Sequence, residues 1–204
     1  MPRPAYPALV TWPCTLFVLV LVPVYWVHYG PGNFLWFSDI ALFAVLIVLW
    51  RGDCLPFSMM AIGVLPLEAV WMVDFVAGGQ ATGLAAYMFD AGLPLYLRGL
   101  SLFHLFMPAL VVWMLVRQGY DRRAWRAQTA LAWVVLPASR LLTAPEANVN
   151  WVHGIGDAGQ AGLSAPVYLG LYMALLPVVV YLPLHLLMRR LFRPCRRPDA
   201  PGAG

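Results

Sequence analysis

The few ionisable side chains of this chain are segregated along it, and that segregation limits what it can fold into. All thirteen basic residues are arginine. Arg51, the run Arg117, Arg122, Arg123 and Arg126, and the tail Arg189, Arg190, Arg193, Arg196 and Arg197 each flank an apolar stretch. Arginine excess marks the cytoplasmic ends of membrane spans. On that rule Asp39, Glu68, Asp74, His104, Arg140 and His153 fall toward the opposite, outer side.

A chain that is 62% hydrophobic and 11% charged has too little polar surface to cover a soluble domain. Several apolar stretches approach the roughly 20 residues that cross a bilayer as helix. The expected fold is an all-α integral membrane protein with six transmembrane helices. The spans fall at 8–27, 34–50, 56–77, 99–116, 124–143 and 166–188. Both termini are then cytoplasmic, and an interfacial or re-entrant piece fills 78–98 between helices 3 and 4. Residues 1–192 form one domain, and 193–204 read as a disordered basic tail. The first apolar run has no Ala-x-Ala cleavage site, so it is expected to stay as an uncleaved helix in the bacterial cytoplasmic membrane.

Membrane lipid is the expected partner, since the arginines beside the spans suit topology and anionic headgroups better than nucleic acid. No oligomeric partner is read. Cys54 and Cys195 both lie on the expected cytoplasmic side, where a structural disulfide is not anticipated. His28, Asp39, Glu68, His104 and His153 include no pair at the i, i+4 spacing of a helical metal motif. No metal or cofactor is expected.

Ionisable groups at membrane depth are expensive and mark function by default. Arg140 is the strong cation near the outer end of the fifth span, and Asp39 or Glu68 is its expected carboxylate partner, as register-fixing ion pair or as clamp. Ser101 and His104 share a helical face, the minimal hydroxyl and base arrangement. His104 is thus a candidate base, with Asp39, Ser101 and Ser38 as catalytic companions. Arg140, Glu68, Asn148, Asn150, His153 and Asp74 are the candidate substrate contacts. His28 and Asn33 could join the same rim, while His185 reads as an anchor at the other face.

Three motifs carry a resemblance. The segment Tyr29-Gly30-Pro31-Gly32-Asn33-Phe34-Leu35-Trp36-Phe37-Ser38-Asp39 opens the second span. Asp90-Ala91-Gly92-Leu93-Pro94-Leu95-Tyr96-Leu97 leads to His104 and Pro108, and Asn150-Trp151-Val152-His153 closes the last outer loop. Together they resemble the androgen-induced integral membrane hydrolases, six-span Thr-His enzymes acting on fatty-acid esters of hydroxy fatty acids. The resemblance implies that His104 is the catalytic histidine and Asp39 its companion. Trp36 stands where that family has threonine, and the histidine-to-proline spacing is one residue shorter. Ser38 or Ser101 would then replace the nucleophile, or the chemistry differs, or the site only binds lipid. Two readings stay open: a hydrolase or acyltransferase on a lipid ester using a histidine base, or a non-catalytic lipid-binding or small-solute transport protein.

Overall fold

The computed structural model describes residues 5–156 and 162–195, and these are helical throughout apart from turns and loops. Among the described residues nine α-helices follow one another: α1 (Ala8–Tyr29), α2 (Phe37–Arg51), α3 (Cys54–Gly63), α4 (Leu65–Val76), α5 (Leu95–Leu100), α6 (Phe103–Gln118), α7 (Ala124–Leu142), α8 (Ala165–Leu175) and α9 (Leu182–Leu191). Three continuous stretches, Ala8–Tyr29, Leu95–Gln118 and Ala165–Leu191, are long and apolar enough to cross a membrane, and the bent pair α3 and α4 would make a fourth. At 15 residues α2 is short for a span by itself. The 19 residues of α7 include Arg126, Gln128 and Arg140.

The third expected span is therefore two helices, bent by 56°. Pro66 sits in the first turn of α4. Its ring lacks the N–H that would bond the Ile62 carbonyl and crowds that carbonyl, so the α3 ladder stops at Gly63. Pro177 acts differently in the last stretch. It withdraws the amide that Met173 would have used, and Trp133 Nε1 donates to the Met173 carbonyl instead at 2.9 Å. The chain passes through a π-helical turn at Leu176–Tyr181, where the Leu182 amide reaches back to the Pro177 carbonyl. Trp125 Nε1 donates to the same oxygen at 3.0 Å. Two tryptophans of α7 thus satisfy backbone groups that lipid could not.

The centre of the bundle is α3, which packs on α2, α6 and α7. Phe57, Met60, Ala61 and Ile62 are wholly buried on it. Gly63 allows α7 to come close, since a Cβ there would stand 2.2 Å from Gln128 Nε2. Small residues at such crossings let van der Waals packing hold helices together where lipid removes the hydrophobic drive. By contrast α1 and α8 expose much of their apolar surface, as outer helices do.

The arginine-flanked ends gather at one end of the bundle. The Ala5 and Tyr6 amides donate to the Trp50 and Leu49 carbonyls beside Arg51. The Tyr120 amide donates to the Arg193 carbonyl at 2.8 Å, and the Cys195 amide to the Tyr120 carbonyl at 3.1 Å. Two sequence expectations change here. Residues 193–195 are a pinned extension rather than part of a free tail; 196–204 lie outside the described residues. Cys54 and Cys195 are joined as a disulfide, their Cα atoms 6.4 Å apart, because the Tyr120 pairing lays the extension across the start of α3. His185 is also buried rather than an exposed anchor, with Nδ1 2.8 Å from the Tyr120 hydroxyl.

Candidate functional site

At the other end of the bundle the polar residues of α2, α4 and α6 face a cavity of about 580 Å³. A volume of that order suits one small amphiphile or the head and upper chain of a larger one. Asp39, Ser38, Glu68, Ser101, His104 and Asn150 line it, all of them expected from the sequence. Its walls are mainly aromatic and aliphatic, and no arginine is among them. On one side the wall is Leu67 and Val70 of α4 with Tyr172 and Leu176 of the last stretch. Leu67 and Val70 are exposed on the outer surface as well, and α4 packs on α3 and α6 while α8 packs on α7.

The chemistry centres on His104. Its Nδ1 lies 2.7 Å from Glu68 Oε2, and Glu68 is 3% exposed. Glu68, in the first turn after the break at Pro66, meets the first turn of α6. The imidazole stacks on Trp71, with centroids 4.7 Å apart, and on Phe103. With Nδ1 engaged, Nε2 has no partner among the described residues, and 15% of the side chain remains accessible. A carboxylate on one ring nitrogen fixes the tautomer and leaves the other as the proton acceptor.

Ser101 is not the partner of His104. It shares a hydrogen bond of 2.9 Å with the Tyr25 hydroxyl and bonds the Leu97 carbonyl at 3.2 Å. A tight turn at residues 101–102 separates α5 from α6 within the one stretch; both side chains still line the cavity, but the Ser101 hydroxyl is taken by Tyr25 and Leu97. Ser38 faces the cavity at the start of α2, and Trp36 lies beside it in the lining.

Asp39 is 3% exposed, and its Oδ1 has no hydrogen-bond partner among the described residues. It sits in the first turn of α2, where the helix dipole favours a negative charge. It is also near enough to Glu68 for the two charges to interact. Among the described residues, no three His, Cys, Asp or Glu side chains converge to hold a metal ion.

Arg140 departs furthest from expectation. It pairs with neither Asp39 nor Glu68: its guanidinium meets His153 Nδ1 closely and approaches the Val152 carbonyl at 3.5 Å. Among the described residues the carboxylate ion pairs are Glu68 with His104 and Asp121 with Arg123. Arg140 and His153 therefore brace the loop after α7, outside the cavity lining. Asn148 does similar work, accepting from the His153 amide at 2.9 Å and donating to the Gly154 carbonyl at 2.9 Å. Asn150 touches the cavity, but its amide ties elements together. It accepts from the Phe37 amide at 3.0 Å, capping α2, and donates to the Leu35 carbonyl at 2.7 Å and to Ser139 at 3.1 Å. Asn148, Asn150 and Trp151 all hold positive φ, a strained set that these bonds keep in place.

Asp74 is likewise a structural residue. Its carboxylate accepts the Ala81 and Thr82 amides at 2.8 and 2.7 Å on one oxygen and the Ala85 amide at 2.7 Å on the other. These bonds fold 78–98 into a cap over Trp71, with a 3-10 turn at Ala86–Phe89 followed by α5. His28 bonds Tyr96 of this cap at 2.5 Å and is absent from the lining, whereas Asn33 is in it. What the sequence reading missed is the aromatic part of the site: Tyr25, Trp71, Tyr87, Trp151 and Tyr172. Trp71 lies three residues after Glu68, so helical spacing alone places it on the same face.

Burial lowers the pKa of His153, and the neighbouring Arg140 charge lowers it further. The native state therefore binds a proton at this site less readily than the unfolded chain, so stability is lost as pH falls through the ordinary histidine range. Acidification from pH 7.5 to 5.5 is expected to lower the protection of the 148–154 amides, taken against their intrinsic exchange rates at each pH, in the wild type and to do so markedly less in His153→Gln. Equal acid sensitivity in the two proteins would contradict this.

Comparison with known protein families, characterised proteins and solved structures finds no match to this chain.

Proposed function

We propose that the chain is a six-span integral membrane protein that receives an amphiphile from the outer leaflet and cleaves or transfers an acyl ester with His104 as general base. The observation that carries this reading is the Glu68–His104 pair, with Nε2 left unpartnered beside a mostly apolar cavity. For α7 the six-span arrangement is supported by length: at 1.5 Å per residue its 19 residues cover about 28 Å, close to a hydrocarbon core of roughly 30 Å. The clustered arginine end is assigned to the cytoplasm, in keeping with a bacterial inner membrane.

Because Ser101 is committed to Tyr25 and Leu97, the nucleophile in this reading is a water or an acceptor hydroxyl rather than a side chain. Its O–H proton passes to His104 Nε2 as the oxygen attacks the ester carbonyl carbon. Glu68 stabilises the imidazolium that results. Collapse of the tetrahedral adduct breaks the bond to the leaving oxygen, which takes the proton back from Nε2. Water yields acid and alcohol, and an acceptor hydroxyl yields a new ester. Ser38 is the other serine of the lining, and a covalent route would use it.

Labelling with a hydrophobic fluorophosphonate separates the two routes. The water route predicts turnover of a long-chain p-nitrophenyl ester with no covalent label on the protein. Label on Ser38 that disappears in Ser38→Ala would replace water by a serine nucleophile. Trp36 in the lining favours a second, non-catalytic reading, in which lipid co-purifies and no ester is turned over.

A further inference from the structure

We infer that the cavity is shaped for an amphiphile whose head group carries an amine, held by Asp39 while His104 faces the acyl bond. The inference rests on the cavity being the substrate site and adds what the head group must be.

Charge arithmetic within the lining leads there. Asp39 and Glu68 are its two carboxylates, and His104 is its one group able to carry a positive charge. Glu68 Oε2 is already taken by His104 at 2.7 Å. Asp39 lines the cavity at 3% exposure, and its buried Oδ1 has no donor from the described residues. A buried carboxylate oxygen without a donor is costly, and a ligand N–H supplies what the fold does not. The aromatic rings around it, among them Tyr25, Tyr29 and Trp36, add the faces that favour a cation. An anionic head, such as the free carboxylate of the substrates implied by the family resemblance, meets no arginine here. Arg140, the cation expected to clamp it, is spent on His153.

The test uses the full-length protein in a non-ionic detergent with hexadecylamine, hexadecanol and hexadecyl phosphate as probes. Binding is read by native mass spectrometry and by quenching of tryptophan emission. The amine is expected to bind about tenfold or more tighter than the alcohol, and the phosphate weakest. In Asp39→Asn the amine should fall to within about twofold of the alcohol, with alcohol binding unchanged, which shows that the cavity is intact. The amine preference should persist in His104→Gln. Equal binding of amine and phosphate, or an amine preference that survives Asp39→Asn, would overturn the inference. Ester turnover without amine preference would sink this inference and leave the hydrolytic reading standing. Amine preference with no ester turnover would do the reverse.

Discussion

Ester turnover by His104→Gln is expected to fall by about 10² to 10⁴-fold, the range a positioned general base contributes. Glutamine can still donate to Glu68 but has no nitrogen that accepts a proton. The choice of substitution matters. Alanine at this position would leave the Glu68 carboxylate buried without its partner, and breaking a buried pair in that way costs about 3–5 kcal/mol. A loss of fold would then be read as a loss of chemistry. Glu68→Gln keeps an acceptor for Nδ1–H and removes the negative charge that stabilises the imidazolium. Its turnover should drop by about 10²-fold, and the double variant should be no worse than His104→Gln alone, because the two groups act as one unit. Multiplicative losses in the double variant would mean that Glu68 and His104 serve separate ends.

Asp74→Ala is expected to unfold the cap over the site while leaving most of the bundle intact. One carboxylate satisfies the amides of Ala81, Thr82 and Ala85, and Gly83 also points at it from 3.4 Å. Nothing else in the described structure accepts from these groups. Their loss releases the segment that seats Tyr87 and Leu84 against the cavity. Hydrogen exchange at 81–85 should change from protected to fast, while α3 and α6 keep their protection. Asp74→Asn should fall between the two, because its amide retains an oxygen that accepts but turns an NH₂ toward donors. Unchanged protection in Asp74→Ala would show that the loop holds itself.

How much of this was legible in the sequence follows from the range of the interactions. The all-helical class and the apolar stretches are local properties of composition and period, and they appear plainly. The gathering of the arginine ends opposite Asp39, Glu68 and His104 was also legible, since lipid imposes a one-dimensional order on the chain. Partner choice was not. Arg140 was assigned a carboxylate on charge alone, yet its helix turns it toward the loop, where His153 lies thirteen residues away. Glu68 was available to His104 because Pro66 breaks the third stretch, and a proline signals a kink without giving its direction. Ser101 and His104 were paired by helical spacing that the turn at 101–102 interrupts. The Cys54–Cys195 disulfide was set aside on compartment grounds, because nothing in sequence places residue 195 on α3. Asn150 shows the same limit: its amide caps a helix that starts 113 residues earlier.

The two nitrogens of the His104 imidazole have different jobs in the proposed chemistry, and nitrogen-15 spectra of histidine-labelled protein report that directly. With Nδ1 bonded to Glu68, the His104 ring should show a protonated Nδ1 and an unprotonated Nε2, with an Nδ1 proton shifted far downfield. Glu68→Gln should move that proton and leave the other three histidine rings as they were. A His104 ring protonated at Nε2, or a spectrum indifferent to Glu68→Gln, would contradict the assignment of His104 as the base of this cavity.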